Sequence, residues 1–536
     1  MVKMRLGCIA GWLLAFTFVV VATAQQAANP ALKAAPASGS LAERVTAILN
    51  DPLIERASFG ISVTTLEGAP VYALNDGKLM IPASNTKLFT TAAASALLPV
   101  EKLRWTTRIV AGGPIDATGT MHGDLIVLGV GDPSISIRHY PYRSATEAAA
   151  DPTPRPKPNE PLEKLANQIE AAGIKHIDGA IVGDDSFFVD EPYGNSWSWD
   201  DLMWDYGAPV SALSLNENVV ELKVTPEDDD AGSLRMEWLP KADYYTVDGE
   251  FAKAAKGDKP LTGMDRRNGS RIVRVWGTIP ETGYSTGLAV EEPAEFFAAA
   301  LKESLAGRGI TVQGGTGVRH YLNNNTNDFA KERSEGLKLF RSTALSVEAP
   351  TDGKKVVATH LSVPVAEDIK VINKVSQNLH AELLLRLLAK TEAKEASFAE
   401  GTRVVRQFAQ DAGIKDEDFF FYDGSGLSLN DRATPRAFTR LLSFAAKQSW
   451  GTGWRESFPV AGVDGSLGGR FKDSPLRGKM QAKTGTHSEA NALSGYLTTA
   501  SGKELAFSIL VNGHKPDEAF EIEAIDRICE AIAATN

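Results

Sequence analysis

The chain has 536 residues, 43% of them apolar and 23% charged, which is a globular composition with room for roughly two to four domains. Its 67 acidic residues outnumber the 56 basic ones, giving a net charge of −11, so the balance that a nucleic-acid partner requires is missing. The 8 histidines contain no His-Glu-x-x-His, and no cysteine pair has zinc-binding spacing; neither a metal nor an organic cofactor is called for.

Residues 1–24 read as a signal peptide: Lys3 and Arg5, an apolar run from Ile9 to Val21, then Ala22-Thr23-Ala24. The run is short for a membrane span, so cleavage before Gln25 is expected rather than an integral anchor. The expected location is periplasmic, soluble or loosely associated with wall or membrane. Cleavage leaves Cys529 alone, which precludes an intrachain disulfide. Residues 25–39 are rich in Ala, Gln and Pro and read as a flexible lead-in.

A helix is expected near Leu41–Leu53, followed by a hairpin: Phe59–Thr65, a turn at Glu67-Gly68, and Val71–Leu74. The hairpin delivers the chain to Pro82-Ala83-Ser84-Asn85-Thr86-Lys87, after which an Ala- and Leu-rich run reads as a buried helix. Strands of a different unit follow at Trp105–Ala111 and Leu125–Val130. A Pro-rich connector at 151–158, a helix at Leu162–Ala172 and a strand at Ile177–Val182 come next. Strands with polar turns are expected from about 218 to 280, then a helix at Ala294–Ala306 and a strand near Ile310–Val312. Helices return at Val365–Val375, Leu379–Lys390 and Phe398–Ala412. Three antiparallel strands at Met480–Thr486, Leu493–Thr499 and Leu505–Val511 precede an acidic helix at Asp517–Ala534. The early hairpin and the three late strands predict one five-stranded sheet with helices on both faces, interrupted by a long insertion.

Ser84 and Lys87 stand three apart at a helix start and so share one face. A serine hydroxyl needs a base to become a nucleophile, and a desolvated lysine can be that base. Lys483-Thr484-Gly485 occurs once, in an expected strand. There the lysine offers a fixed positive charge to a substrate carboxylate and the threonine a hydrogen bond. Ser-x-Asn occurs at Ser214, Ser376 and Ser428. The Ser376-Gln377-Asn378 copy is favoured because it abuts an amphipathic helix on the returned half of the chain, although residues of these types also simply cap helices.

The ordered set Ser-x-x-Lys, Ser-x-Asn, Lys-Thr-Gly is that of penicillin-binding proteins and serine β-lactamases. With Gly131-Asp132-Pro133-Ser134, Val182–Ser186, Asn373–Leu379, Ala381-Glu382, Asp423–Ser428 and Gly462–Leu467, the chain resembles the penicillin-binding protein 4 type D-alanyl-D-alanine carboxypeptidases/endopeptidases. That resemblance implies an α/β (α+β) transpeptidase-like catalytic domain split by two nested inserted domains. The expected division is 40–105 and 340–536 for the catalytic domain, 106–130 and 200–339 for the first insert, and 131–199 for the second. It also implies roles: Ser84 as nucleophile, Lys87 as base, Ser376 in a proton relay and Asn378 on the substrate amide. Lys483, Thr484 and Gly485 would line the carboxylate site, and the N–H groups of Ser84 and Thr486 would form the oxyanion hole. Peptidoglycan stem peptides are the implied partners, and β-lactams the implied covalent inhibitors. Many relatives carry an arginine for a diaminopimelate carboxylate where this chain has Leu429. Either Arg432 reaches the same spot, with Asp200 as the acidic companion for the side-chain amine, or the pocket accepts a neutral, amidated side chain; the first is favoured. Two rivals stay open: a serine β-lactamase, and a cell-wall binding protein of the same fold with a decayed site.

Overall fold

The computed structural model describes residues 32–33 and 38–536, apart from 152, 155, 228–232, 256, 324–327, 394 and 517–518. The expected signal peptide, most of the lead-in, and the first two residues of the expected terminal helix lie outside the described residues. Among the described residues no helix is long and apolar enough to cross a membrane.

Strands from opposite ends of the chain build one antiparallel sheet, in the order Pro70–Leu74, Ser58–Thr65, Glu504–Asn512, Ala490–Thr498, Met480–His487. Side chains alternate across a strand, and here each face has its own core. Phe59, Ile61, Val63, Leu493, Leu497, Leu505, Phe507 and Ile509 pack beneath helices Leu41–Leu49 and Phe520–Thr535, where Cys529 is buried. Ala492, Tyr496, Ala506 and Leu510 face the other way, where helix Pro435–Ala445 lies against the sheet and helices Thr86–Leu97 and Asn378–Glu392 continue the same core. Helix Thr86–Leu97 is buried on all sides, which suits its run of Ala, Thr and Leu and makes it the central rod of the domain. Phe89 anchors it among Phe419, Phe421 and Phe438, with ring centroids 5.5, 5.1 and 5.3 Å away.

The intervening chain forms a mixed six-stranded sheet. Its order is Thr316–Tyr321, Ile181–Val189, Leu125–Leu128, Arg104–Ala111, Ser346–Glu348, with Lys355–Leu361 also paired to Arg104–Ala111. Helices Glu160–Ala171 and Pro293–Ala306 bury Leu162, Leu165, Phe297 and Leu301 against it. Ile181–Val189 pairs in parallel with both Leu125–Leu128 and Thr316–Tyr321. The sheet thus joins segments that the expected division, with 131–199 as a nested domain, places apart. Parallel pairing needs long crossovers and leaves no local signature in the sequence. A separate three-stranded sheet, Tyr284–Ala289, Val219–Pro226 and Leu234–Leu239, shares its core with a four-stranded sheet built on Ile272–Ile279.

Candidate active site

Ser84 sits in a single 3-10 turn, Ala83–Asn85, and the α-helix begins at Thr86. Ala83 holds a left-handed φ of 46°, so the chain turns sharply into the helix and leaves Ser84 half-open at its entrance. Lys87 is fully buried one turn on. Its Nζ lies 2.9 Å from Ser84 Oγ, 2.6 Å from Asn378 Oδ1 and 2.7 Å from the Ser425 carbonyl. Asn85 points back into the sheet and donates to Ser494 Oγ at 2.7 Å, which fixes the turn against the strand Ala490–Thr498.

Two of the three acceptors around Lys87 are carbonyl oxygens, which only accept; the serine hydroxyl can also donate. A neutral amine therefore spends its two N–H groups on Asn378 and Ser425 and turns its lone pair to the Ser84 proton. Burial supplies the neutral form. It pushes the Lys87 amine down to about 7, against the opposing pull of Glu382, Asp423 and Asp431. Glu382 does not supply a full counter-charge: burial and the neighbouring Asp423 raise its carboxyl, which accepts from the N–H groups of Gly424 and Ser425, both at 2.8 Å. Burial likewise raises Asp431, which holds Thr86 Oγ1 at 2.9 Å.

Ser376 closes the helix Val365–Val375 in a left-handed conformation, φ 62°, and Gln377 caps the next helix by accepting from the His380 N–H at 3.1 Å. The turn between them points Ser376 Oγ at Lys483 Nζ, 2.7 Å away, and Asn378 at Lys87. The Asn378 amide nitrogen donates to the Tyr206 carbonyl at 2.8 Å. The other two Ser-x-Asn copies are elsewhere: Ser214 is buried, and Asn430 donates to Ser196.

Lys483 lies on the edge strand of the sheet and is fully buried, bonded also to the Thr484 carbonyl at 2.7 Å. The sequence suggests a fixed positive charge here, but burial, and then Lys87, drive this amine well below its usual range. Gly485 faces the nucleophile turn so closely that an added Cβ would stand 2.8 Å from the Pro82 carbonyl oxygen and 3.2 Å from the Ser84 nitrogen. Only glycine lets this strand lie along the Ser84 turn. Thr486, next on the strand, is exposed, and the Thr484 hydroxyl lies 2.7 Å from that of Ser466.

Asp200 and Arg432 each bond within their own loop. Asp200 accepts from Ser198, while Arg432 turns back on its own loop and donates to the carbonyls of Leu429 and Asp431, both at 2.8 Å. Their loops do meet, through the Leu429 N–H on the Ser196 carbonyl at 3.3 Å. Sequence reasoning gave no role to Ser425, Glu382, Tyr206 or Ser466. Two of these act through backbone carbonyls, which leave no side-chain signature; the glycines at 424 and 426 were the one available sign that the backbone comes close.

Gly283-Tyr284-Ser285-Thr286-Gly287 has the spacing of a hydrolase nucleophile elbow, but it runs into the strand Tyr284–Ala289, where Ser285 donates to Glu221. It has no strand–turn–helix context, so Ser84 has no competitor there. Among the described residues one group could hold an ion, Asp185, Glu292 and His320, and it belongs to the inserted region.

The model of the D-Ala-D-Ala carboxypeptidase 3 (S13) family matches residues 41–340 and 339–532. A D-alanyl-D-alanine carboxypeptidase of Actinomadura sp. (strain R39) is 30% identical over 511 residues, 91% of this chain and 84% of its own. The D-alanyl-D-alanine carboxypeptidase DacB of Haemophilus influenzae is 26% identical over 473 residues, 87% of this chain and 88% of its own. The fold is that of the crystal structure of penicillin binding protein 4 from Haemophilus influenzae, with a TM-score of 0.70 at 23% identity over 90% of this chain and 96% of that one. With the family pattern running from Leu41 to Ile532, this chain belongs to the D-Ala-D-Ala carboxypeptidase 3 (S13) family.

Proposed function

We propose that the chain is a penicillin-binding serine DD-carboxypeptidase/endopeptidase that opens D-alanyl-D-alanine and related D-amino-acid bonds in peptidoglycan peptides through an ester on Ser84. The observation that carries this is the buried Lys87 amine, 2.9 Å from Ser84 Oγ, with its other two hydrogen-bond directions taken by carbonyl oxygens. Ser84 Oγ attacks the scissile carbonyl as its proton passes to Lys87. The oxyanion is met by the N–H groups of Ser84 and Thr486. As the C–N bond breaks, the proton held by Lys87 is relayed through Ser376, with Lys483 behind it, to the leaving nitrogen, and Lys87 returns to its free-amine form. Water then attacks the ester, giving a proton to Lys87, which passes it to Ser84 Oγ as the acid departs. A substrate carboxylate beside Thr484 would give Lys483 a counter-charge and favour its ammonium form against burial.

The test is labelling with fluorescent penicillin, mapping of the adduct by mass spectrometry, and an assay of D-alanine release from a D-alanyl-D-alanine peptide. One adduct, on Ser84, together with D-alanine release is the expected result. An adduct on another residue, or none, overturns the assignment, and rapid turnover of penicillin without D-alanine release points to a β-lactamase.

Substrate side-chain recognition is a finer part of the same proposal. Asp200 and Arg432 lie on loops that touch, and swinging Arg432 off the Leu429 carbonyl would free a guanidinium for a diaminopimelate carboxylate. Arg432→Ala is then expected to abolish the preference for peptides with a free over an amidated diaminopimelate carboxylate; an unchanged preference refutes the role. The signal-like segment 1–24 supports export to the periplasm, where such peptides are found.

A further inference from the structure

The Ser376–Asn378 turn is held from outside by a residue with no assigned task. Gln377 uses both ends of its side chain: the carbonyl caps its helix, and Nε2 donates to Glu217 Oε2 at 2.8 Å. Glu217 belongs to the inserted segment, far away in sequence. It sits in a run of three left-handed residues, Asn216, Glu217 and Asn218, with φ of 48°, 62° and 56°. Asparagine tolerates that conformation, but glutamate does so only at a cost.

The surroundings enforce it. Asn216 accepts from the Ile137 N–H at 3.1 Å and donates to the Pro158 carbonyl at 2.8 Å, while Asn218 donates to the Pro209 carbonyl at 2.8 Å. The strained residue is thereby pinned with its carboxylate against the active-site turn. Its other oxygen meets Arg138 Nε at 2.5 Å and lies 3.5 Å from His380 Nε2, and Asp368 holds the far side of that ring at 2.6 Å. His380 is fully buried, and Asp368 and Glu217 raise its imidazole to about 9 against desolvation. Two cations and two carboxylates thus balance beneath the turn.

We infer that Glu217 is a positioning residue: through Gln377 it sets the Ser376–Asn378 turn, and so the contacts of Ser376 with Lys483 and of Asn378 with Lys87. This rests on the serine acyl-transfer reading above. The inserted region would then complete the catalytic site, which also leans on it through the Tyr206 carbonyl on Asn378.

The experiment exchanges the two partners in the full-length protein. Gln377→Glu alone sets two carboxylates against each other and is expected to lower the penicillin acylation rate and kcat for D-alanine release about 10- to 100-fold, with KM little changed. Adding Glu217→Gln re-forms the hydrogen bond between residues 377 and 217 with donor and acceptor exchanged, leaves an oxygen on each side chain to accept, from the His380 N–H and from Arg138, and keeps the net charge. That double variant is expected to recover activity to within about 3-fold of wild type. Glu217→Ala is expected to lower kcat as Gln377→Glu does. Thermal melting of each variant separates misplacement from unfolding. Full activity in folded Glu217→Ala, or a double variant no better than Gln377→Glu, overturns the inference. Loss of wild-type labelling at Ser84 would instead overturn the reading beneath it.

Discussion

Lys87→Ala is expected to slow acylation of Ser84 by penicillin about 10²–10⁴-fold, the usual cost of losing a general base. The same residue predicts the pH dependence. Below about 7 the amine is protonated and has no lone pair for the Ser84 proton; above it the free base accumulates. The wild-type acylation rate is therefore expected to rise with pH through a midpoint near 7 and then level off, and Lys87→Ala is expected to lose that limb. The sign follows from burial, which disfavours the charged amine and outweighs the opposing pull of Glu382, Asp423 and Asp431. Rates measured from about two pH units below the midpoint to about two above would decide the matter. A flat wild-type profile, or a limb that survives in Lys87→Ala, would mean that another group takes the proton.

What could be read in the sequence divides along the line between local and distant information. The contact of Ser84 with Lys87 follows from helical spacing and one proline. The five-stranded sheet followed from two-residue alternation in segments at both ends of the chain. Favouring Ser376, whose hydroxyl lies 2.7 Å from Lys483, over Ser214 and Ser428 rested on the amphipathic helix beside it and its place in the returned half of the chain. The sheet that joins 104–128, 181–189, 316–321 and 346–361 was not legible, because none of its parallel pairs is close in sequence. Lys483 shows the same limit: its motif was visible, but not the burial that works against its charge. Arg432 had the reach for an outward role, and nothing in the residue order showed that its guanidinium turns onto the Leu429 carbonyl. Glu217 gave no sign at all, since three left-handed residues in a row arise only when a surrounding structure imposes them.

Gly426→Ala is expected to reduce acylation of Ser84 about 10²-fold or more, although residue 426 touches no substrate. Gly426 has a φ of 79°, where a side chain costs roughly 1–3 kcal/mol in backbone strain alone. Its added Cβ would fall 1.9 Å from the Ala83 carbonyl oxygen and 2.9 Å from Thr86 Oγ1, neither of which has room to yield. Ala83 is itself left-handed, and Thr86 is tied to the buried Asp431. Either the Ala83–Asn85 turn moves and carries Ser84 away from Lys87, or the 423–428 loop backs off and takes the Ser425 carbonyl with it. The first outcome breaks the 2.9 Å contact that activates the nucleophile, and the second frees a Lys87 N–H and lets the amine rotate. Both leave the five-stranded sheet intact, so the variant should melt a few degrees lower yet remain folded while its labelling rate collapses. A folded Gly426→Ala that takes up penicillin at the wild-type rate would show that the backbone approach of this loop does not set the position of Ser84 or Lys87.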